Sequence, residues 1–146
     1  MPGAAIAVVQ DGKVTLAKGH GQRDVEANLP VSTATRFVIC SITKSFTATG
    51  VALLHDQGRL DWTKPVGAYL PEFRLLDPVA TERATVLDLL CHQSGLPRHE
   101  LLGIMRHLEL SRDIRAAFQY NNLCYDVAGL LIERVSGQSY ETFVRG

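Results

Sequence analysis

Residues 37–54 read FVICSITKSFTATGVALL and carry a single charge, Lys44. The small and apolar residues around this lysine are typical of a buried helix, and the lysine follows Ser41 by three positions, about one helical turn. A buried ammonium is unfavourable unless it has hydrogen-bonding partners or gives up its proton near neutral pH. An amine of this kind can accept the proton of a hydroxyl one turn away. The pattern therefore predicts that Ser41 is an activated nucleophile, whereas the alternative is a serine N-cap followed by a lysine that reaches solvent.

Length and charge narrow the classes of protein that remain possible. The 146 residues suffice for one domain and are short for two. Fifteen basic residues balance fifteen acidic ones, so charge indicates neither a nucleic acid nor an anionic membrane as a partner. The longest weakly charged run, residues 37–54, contains Lys44 and several hydroxyl side chains. It therefore fits a buried helix better than a membrane span.

The cysteines and the N-terminal residues bear on metal binding, disulfide formation and cellular location. Cys40, Cys91 and Cys124 are odd in number and form no C-x-x-C pair, which argues against a disulfide framework and a zinc site. The chain enters a β-type pattern directly after Pro2, without the basic and apolar segments of a signal peptide. The cytoplasm is therefore the default expectation for this chain.

A second metal hypothesis concerns His92 and His99, because His99 and Glu100 begin like a zinc-protease helix. An H-E-x-x-H motif requires its second histidine four residues after the first, where this chain has Gly103, and His107 comes too late. We therefore expect neither a metal nor a cofactor.

The hydrophobic pattern changes character near residue 41. Residues 4–10 and 13–19 are β-rich runs joined by Asp11-Gly12, a two-residue connection that predicts a hairpin with a type I′ turn, and residues 22–27 form a possible third strand. From Ser41 onward the pattern is helical, so we expect an α+β fold with a sheet region over residues 1–40 and a mainly helical region over residues 41–146.

Several signals place the helices of the second region. Residues Ile42, Phe46, Gly50, Leu53 and Leu54 share the predicted buried face of the first helix, which Gly58 ends. Thr85 and Asp88 form a capping-box pattern, and residues 99–118 have a moderately helical pattern with alternating charge. Residues 123–135 repeat at helical spacing until Gly137, and Ser139 caps a last helix.

A second chemical motif is Tyr120-x-Asn122, a phenol and an amide in a loop that leads into a helix. A tyrosine near an ammonium has its phenolate favoured, so it can take the proton of a serine and later return it to a leaving group. Asn122 can bind a substrate amide or Lys44. The alternative is a buried tyrosine followed by a capping asparagine.

Three segments in this order resemble the serine β-lactamase-like hydrolases and penicillin-binding proteins, especially the class C branch with its esterases and D-amino-acid peptidases. They are residues 37–54 with the S-x-x-K tetrad, residues 89–97 (LLCHQSGLP) and residues 120–129 (YNNLCYDVAG). The resemblance implies a β-lactamase/transpeptidase-like fold, in which an antiparallel sheet packs with helices.

The resemblance also implies the chemistry. It assigns Ser41 as the acylated nucleophile, with its backbone N–H in the oxyanion hole, Lys44 as its activator, Tyr120 as general base and acid, and Asn122 as a substrate-binding amide. The expected reaction is acyl-enzyme formation on the ester, amide or lactam carbonyl of a small-molecule or peptide substrate, and the sequence does not choose among these.

One family motif is missing. A K-[ST]-G or H-x-G strand normally follows the tyrosine motif, yet no lysine or histidine occurs after His107, and the segment 101–115 is shorter than usual. We therefore expect a single partial domain that matches the N-terminal portion of a longer hydrolase, with weak catalysis and self-association through an exposed sheet edge. The alternative is a truncated or diverged domain that binds a ligand or partner without turnover.

Overall fold

The computed structural model describes residues 2–99 and 102–146. The chain groups into two compact units, one up to Cys40 and the other from Ser41 to Gly146. The first contains strands and the second contains helices.

The first unit is an antiparallel sheet with strand order β1-β2-β3. The strands are β1 (Gly3–Gln10), β2 (Lys13–Asp24) and β3 (Leu29–Pro30). Asp11 and Gly12 have φ values of 50° and 72°, and both signs are those of a type I′ turn, so the predicted hairpin is confirmed.

The predicted third strand at residues 22–27 was misplaced. Strand β2 continues to Asp24, and its partner β3 is only two residues long. The Asp24 carboxylate accepts a hydrogen bond from the Ala27 N–H at 2.9 Å, and Asn28 has a φ of 52°. This local hydrogen bonding forms a turn at residues where the β-type sequence pattern suggested a strand.

Within residues 41–99 and 102–146, the second unit contains five α-helices joined by loops and short 3₁₀ turns. The helices are α1 (Thr43–Asp56), α2 (Pro78–Arg83), α3 (Val86–Leu90), α4 (Asn122–Ser136) and α5 (Tyr140–Arg145), and the 3₁₀ turns are Cys40–Ile42, Val66–Ala68 and Leu102–His107. The predicted ends are confirmed: Gly58 and Gly137 have φ values of 68° and 72°, the Thr85–Asp88 capping box is formed, and Ser139 caps α5.

Helices α1 and α4 pack at the centre of this unit. Gly50 of α1 is buried, and a Cβ atom at that position would lie 2.9 Å from Cδ1 of Ile132 in α4. The absence of a side chain therefore lets the two helices approach closely. The core around them consists of buried aliphatic residues that include Val51, Leu54, Leu89, Leu131 and Ile132.

The predicted buried face of α1 is confirmed only in part, at Gly50 and Leu54. Ile42, Phe46 and Leu53 are 64%, 49% and 49% exposed. The buried residues are Thr47, Gly50, Val51 and Leu54. The helix thus carries two apolar stripes, and the pattern did not show that the stripe with the smaller residues is the one that packs against α4.

The predicted helix over residues 99–118 was also wrong. Apart from Glu100 and Leu101, which lie outside the described residues, this segment contains one 3₁₀ turn and an irregular loop over residues 108–121. Arg115 in the loop has a φ of 66°. The backbone N–H groups of Ser111, Arg115 and Gln119 donate to carbonyls of residues 92–95 instead of to a preceding helical turn. Charge alternation suggested a helix, but in the structure these long-range hydrogen bonds form in place of the local bonds of a helix.

Candidate active site

Ser41 and Tyr120 meet although they come from distant parts of the chain. Ser41 lies in the 3₁₀ turn that leads directly into α1, and Tyr120 lies two residues before α4. The Ser41 Oγ and the Tyr120 hydroxyl are 2.6 Å apart, the spacing of an O–H···O hydrogen bond. Ser41 is exposed and therefore accessible to a substrate.

Lys44 occupies the first turn of α1 and bonds to the Tyr120-x-Asn122 motif. Its Nζ donates a hydrogen bond to Oδ1 of Asn122 at 2.7 Å. The same atom lies 4.9 Å from the ring centroid of Tyr120 and 5.4 Å from that of Tyr125, within the range of cation–π attraction. Lys44 is half-buried, contrary to the buried helix that was predicted. Its ammonium is stabilised by an amide oxygen and two aromatic rings.

The charges around Tyr120 favour its ionised form. Hydrogen bonding with Lys44 lowers the pKa of the Tyr120 phenol, and the hydrogen bond with Ser41 lowers it further. The guanidinium of Arg98, whose Cζ lies 5.9 Å from the ring centroid, acts in the same direction. A tyrosine with a lowered pKa is a better proton acceptor near neutral pH than a free one.

The backbone at Ser41 is suited to a developing negative charge. The first N–H groups of a helical segment have no acceptor within the helix, and they carry the positive end of its dipole. The Ser41 N–H belongs to such a segment. The residue before it, Cys40, has a φ of 47°, a region that few non-glycine residues occupy and that recurs at functional sites. The oxyanion role of this N–H stays a prediction.

The loop before α4 is held by the turn of the LLCHQSGLP segment. Ser111 donates its N–H to the Gly95 carbonyl at 3.0 Å, and Arg115 donates to the Gln93 carbonyl at 2.8 Å. Gly95 has a φ of 76°, and a Cβ atom there would collide with the Arg112 carbonyl oxygen. Only glycine permits both this backbone conformation and the approach of the loop.

Asn121 is a site residue that the sequence reasoning missed. It is fully buried. Its Oδ1 accepts the Leu123 N–H at 2.9 Å and caps α4, while its Nδ2 donates to the Pro97 carbonyl at 2.8 Å. Asn121, which lies between Tyr120 and Asn122, therefore fixes the N-terminal end of α4 against the segment that contains Pro97. The asparagine N-cap signal just before the helical repeat could have identified it.

The histidines do not form a metal centre within the described part of the chain. No group of three or more His, Cys, Asp or Glu side chains that could hold a metal ion occurs among the described residues. His92 packs instead against the rings of Phe118, Tyr120 and Tyr125. No helix in residues 2–99 and 102–146 is long and apolar enough to cross a membrane.

Comparison with known proteins matches the chain to one family over its whole length. The family model for Beta-lactamase matches residues 1–146. Protein flp of Staphylococcus aureus (strain NCTC 8325 / PS 47) is 33% identical over 159 aligned positions, which cover 99% of this chain and 32% of the relative. The chain thus spans about a third of the length of that relative.

Two solved structures share the fold and extend well beyond it. The class C β-lactamase from Rhodobacter sphaeroides is 25% identical with a TM-score of 0.80, and the match covers 99% of this chain and 42% of that one. The D-amino acid amidase from Ochrobactrum anthropi SV3 is 28% identical with a TM-score of 0.81, over 99% of this chain and 43% of that one. These likenesses confirm the β-lactamase/transpeptidase-like fold and the resemblance to the class C branch.

Proposed function

Because the chain belongs to the β-lactamase family, we propose that it carries the nucleophilic half of a serine hydrolase that forms an acyl-enzyme on Ser41. The observation that carries this proposal is the 2.6 Å contact between the Ser41 Oγ and the Tyr120 hydroxyl. A nucleophile within hydrogen-bond reach of a base, with that base oriented by a third group, is the arrangement that covalent catalysis requires. Here Lys44 is the third group.

The proposed reaction has two halves. In the first, the Tyr120 phenolate takes the Ser41 proton while Oγ attacks the carbonyl carbon, and Tyr120 then returns that proton to the leaving nitrogen or oxygen. In the second, water attacks the acyl carbonyl while Tyr120 takes a proton from the water, and the ester bond to Ser41 then breaks as Tyr120 returns that proton to the serine Oγ. Lys44 stabilises the phenolate in both halves, and Asn122 binds a polar group of the substrate while it holds Lys44.

The substrate class is an ester, an amide or a lactam. The class C β-lactamase and the D-amino acid amidase among the similar structures support the lactam and amide choices. The cations Lys44 and Arg98, both within 6 Å of the Tyr120 ring, favour a substrate with a carboxylate or another electron-rich group near the reacting carbonyl.

A second candidate is a domain that binds such compounds without turnover. The specific observation in its favour is that neither lysine nor histidine follows His107 in this chain, so the third family motif is not within it. In that case Ser41 would contact a ligand without being acylated.

One kinetic experiment separates the two candidates. The protein is mixed with a chromogenic ester, a D-amino-acid anilide and a chromogenic cephalosporin, and product release is followed from the first turnover. A burst of product equal to the enzyme concentration, absent in Tyr120→Phe, supports the acyl-enzyme. Saturable binding of these compounds without a burst or turnover supports the silent domain.

A further inference from the structure

His92 occupies an unusual place between α3 and the turn that holds the loop before α4. It is buried, with 7% of its surface exposed. Its φ of 57° lies in the left-handed region, where histidine is tolerated better than most residues. Its ring centroid lies 4.7 Å from that of Tyr120 and 5.2 Å from that of Tyr125.

Two hydrogen bonds connect His92 to the residues on either side of Tyr120. The His92 carbonyl accepts the Gln119 N–H at 2.8 Å. Its Nδ1 accepts the Asn121 N–H at 3.2 Å. Because a backbone N–H can only donate, Nδ1 must be unprotonated and the proton of the neutral ring must lie on Nε2.

The surroundings keep this ring neutral. Burial lowers the pKa of His92, and the positive charge of Lys44 lowers it further. The titratable groups that face the ring are Lys44 from α1, Tyr120 from the loop and Tyr125 from α4. An imidazolium would lose the Nδ1 acceptor and would place a second cation beside Lys44.

We propose that His92 is a positioning residue, whose Nδ1 acceptor and backbone carbonyl hold Tyr120 from both sides so that its hydroxyl stays within reach of Ser41 and Lys44. This inference rests on the proposed function, because it assigns His92 to the same serine–tyrosine site. It gives a chemical role to a residue that the sequence suggested only as a metal ligand. A displacement of about 1 Å at a reacting group can reduce a rate by about 10²-fold, so such an anchor is needed in a loop.

Two variants isolate the acceptor from the backbone conformation. Asn places an amide oxygen near the position of Nδ1, and both Asn and Gly tolerate a positive φ. His92→Asn therefore keeps the acceptor and the backbone, whereas His92→Gly keeps the backbone alone. Both lose the imidazole ring, so the ring contact with Tyr120 cancels in their comparison.

Two readouts are taken on wild type and both variants. The first is the second-order rate of Ser41 labelling by a fluorophosphonate probe. The second is the phenol pKa of Tyr120, from NMR titration of protein with ¹³C-labelled tyrosine, assigned with Tyr120→Phe. We expect His92→Gly to lose about 10²-fold in labelling rate and its Tyr120 pKa to rise toward about 10, the value of a free tyrosine. His92→Asn is expected to keep most of the rate and the lowered pKa.

Equal effects of the two variants, whether large or absent, would overturn the positioning role. A wild-type protein that is not labelled at all would refute the proposed function instead, and the Tyr120 titration would still decide whether His92 holds Tyr120. If His92→Gly does not fold, long-range ¹H–¹⁵N NMR of the wild-type ring decides. A proton on Nε2 supports the acceptor, and a proton on Nδ1 excludes it.

Discussion

The Tyr120 hydroxyl lies 2.6 Å from the Ser41 Oγ across a sequence separation of 79 residues. The two residues lie at the N-terminal ends of α1 and α4, the helices that pack together through Gly50 and Ile132. The same core that stabilises the helical unit therefore brings the proposed nucleophile to its base. A second hydrogen bond joins the same two helix ends. Lys44, one turn after Ser41, donates from Nζ to Oδ1 of Asn122, two residues after Tyr120, at 2.7 Å.

Lys44→Met tests whether the ammonium activates the site. Methionine has a similar length and can pack along the same half-buried path, so the circular dichroism spectrum and melting temperature should stay close to wild type. Loss of the cation beside Tyr120 should reduce fluorophosphonate labelling by about 10²–10⁴-fold. Lys64→Met is the control, because Lys64 is an exposed lysine of the same unit. Labelling of Lys44→Met at the wild-type rate would show that the lysine is only structural.

The pH dependence of labelling tests the role of the Tyr120 phenolate. The pKa of Tyr120 is lowered by Lys44 and Ser41, and the phenolate is the form that accepts a proton. The labelling rate should therefore increase as pH rises through this lowered pKa and level off above it. In Lys44→Met the increase should move to higher pH, because the main cause of the lowering is gone. A rise centred near pH 10 in wild type, where free tyrosine ionises, would contradict this account.

Asp88→Asn tests the ion pair that holds the loop to α3. Asp88 is buried, and its two carboxylate oxygens each accept an Arg115 N–H at 2.8 Å. Burial raises the pKa of Asp88, but the hydrogen bonds from Arg115 and Thr85 outweigh it and the net pKa is lowered. The pair therefore stabilises the fold above the unfolded pKa, about 3.9, and that contribution is lost as pH falls through the folded value.

We expect Asp88→Asn to reduce the free energy of unfolding by about 1–3 kcal/mol at neutral pH, measured by urea titration, and the difference from wild type to shrink on acidification. The matched control is Glu72→Gln, which breaks the Glu72–Arg134 pair, whose side chains are 61% and 52% exposed. Such a surface pair contributes about 1 kcal/mol or less. Equal losses in the two variants, or a loss from Asp88→Asn that does not change with pH, would argue against this account.

The edge strand β1 predicts self-association of the chain. It is the outer strand in the order β1-β2-β3, and Ile6 and Val9 on it are 50% and 64% exposed. Exposed edge strands with apolar side chains can pair with strands of other chains, and a lysine side chain on the edge strand opposes this pairing. Light scattering should show association that increases with concentration and that Val9→Lys reduces. Val25→Lys is the control, because Val25 is 61% exposed in a turn. A wild-type monomer at all concentrations would refute the prediction.

The local signals of the sequence were enough for the helix ends and for the motif residues. Asp11-Gly12, the Thr85–Asp88 capping box and the glycines at 58 and 137 each depend on neighbouring residues, and all were predicted correctly. The buried face of α1 and the loop at residues 108–121 depend on partners far along the chain. Periodicity carries no information about such partners. The loop was therefore predicted as a helix, and only Gly50 and Leu54 of the predicted face of α1 are buried.

The same distinction applies to the site. The four motif residues Ser41, Lys44, Tyr120 and Asn122 were predicted because their types and spacing carry chemistry, and the structure brings them together. Their roles in catalysis stay predictions. The supporting residues were not: Asn121 was not considered, and His92 was considered only as a metal ligand. Their importance comes from hydrogen bonds that join a side chain to a backbone group 29 and 24 positions away, which no short motif records.

Covalent labelling of Ser41 tests the central claim most directly. Protein is incubated with a fluorophosphonate probe, its intact mass is measured, and the labelled peptide is sequenced. The account predicts one adduct per chain on Ser41, none in Ser41→Ala, and full labelling in Ser45→Ala, since the Ser45 hydroxyl is bonded to the Ile42 carbonyl at 2.7 Å. An unlabelled wild-type chain, or an adduct that persists in Ser41→Ala, would contradict it.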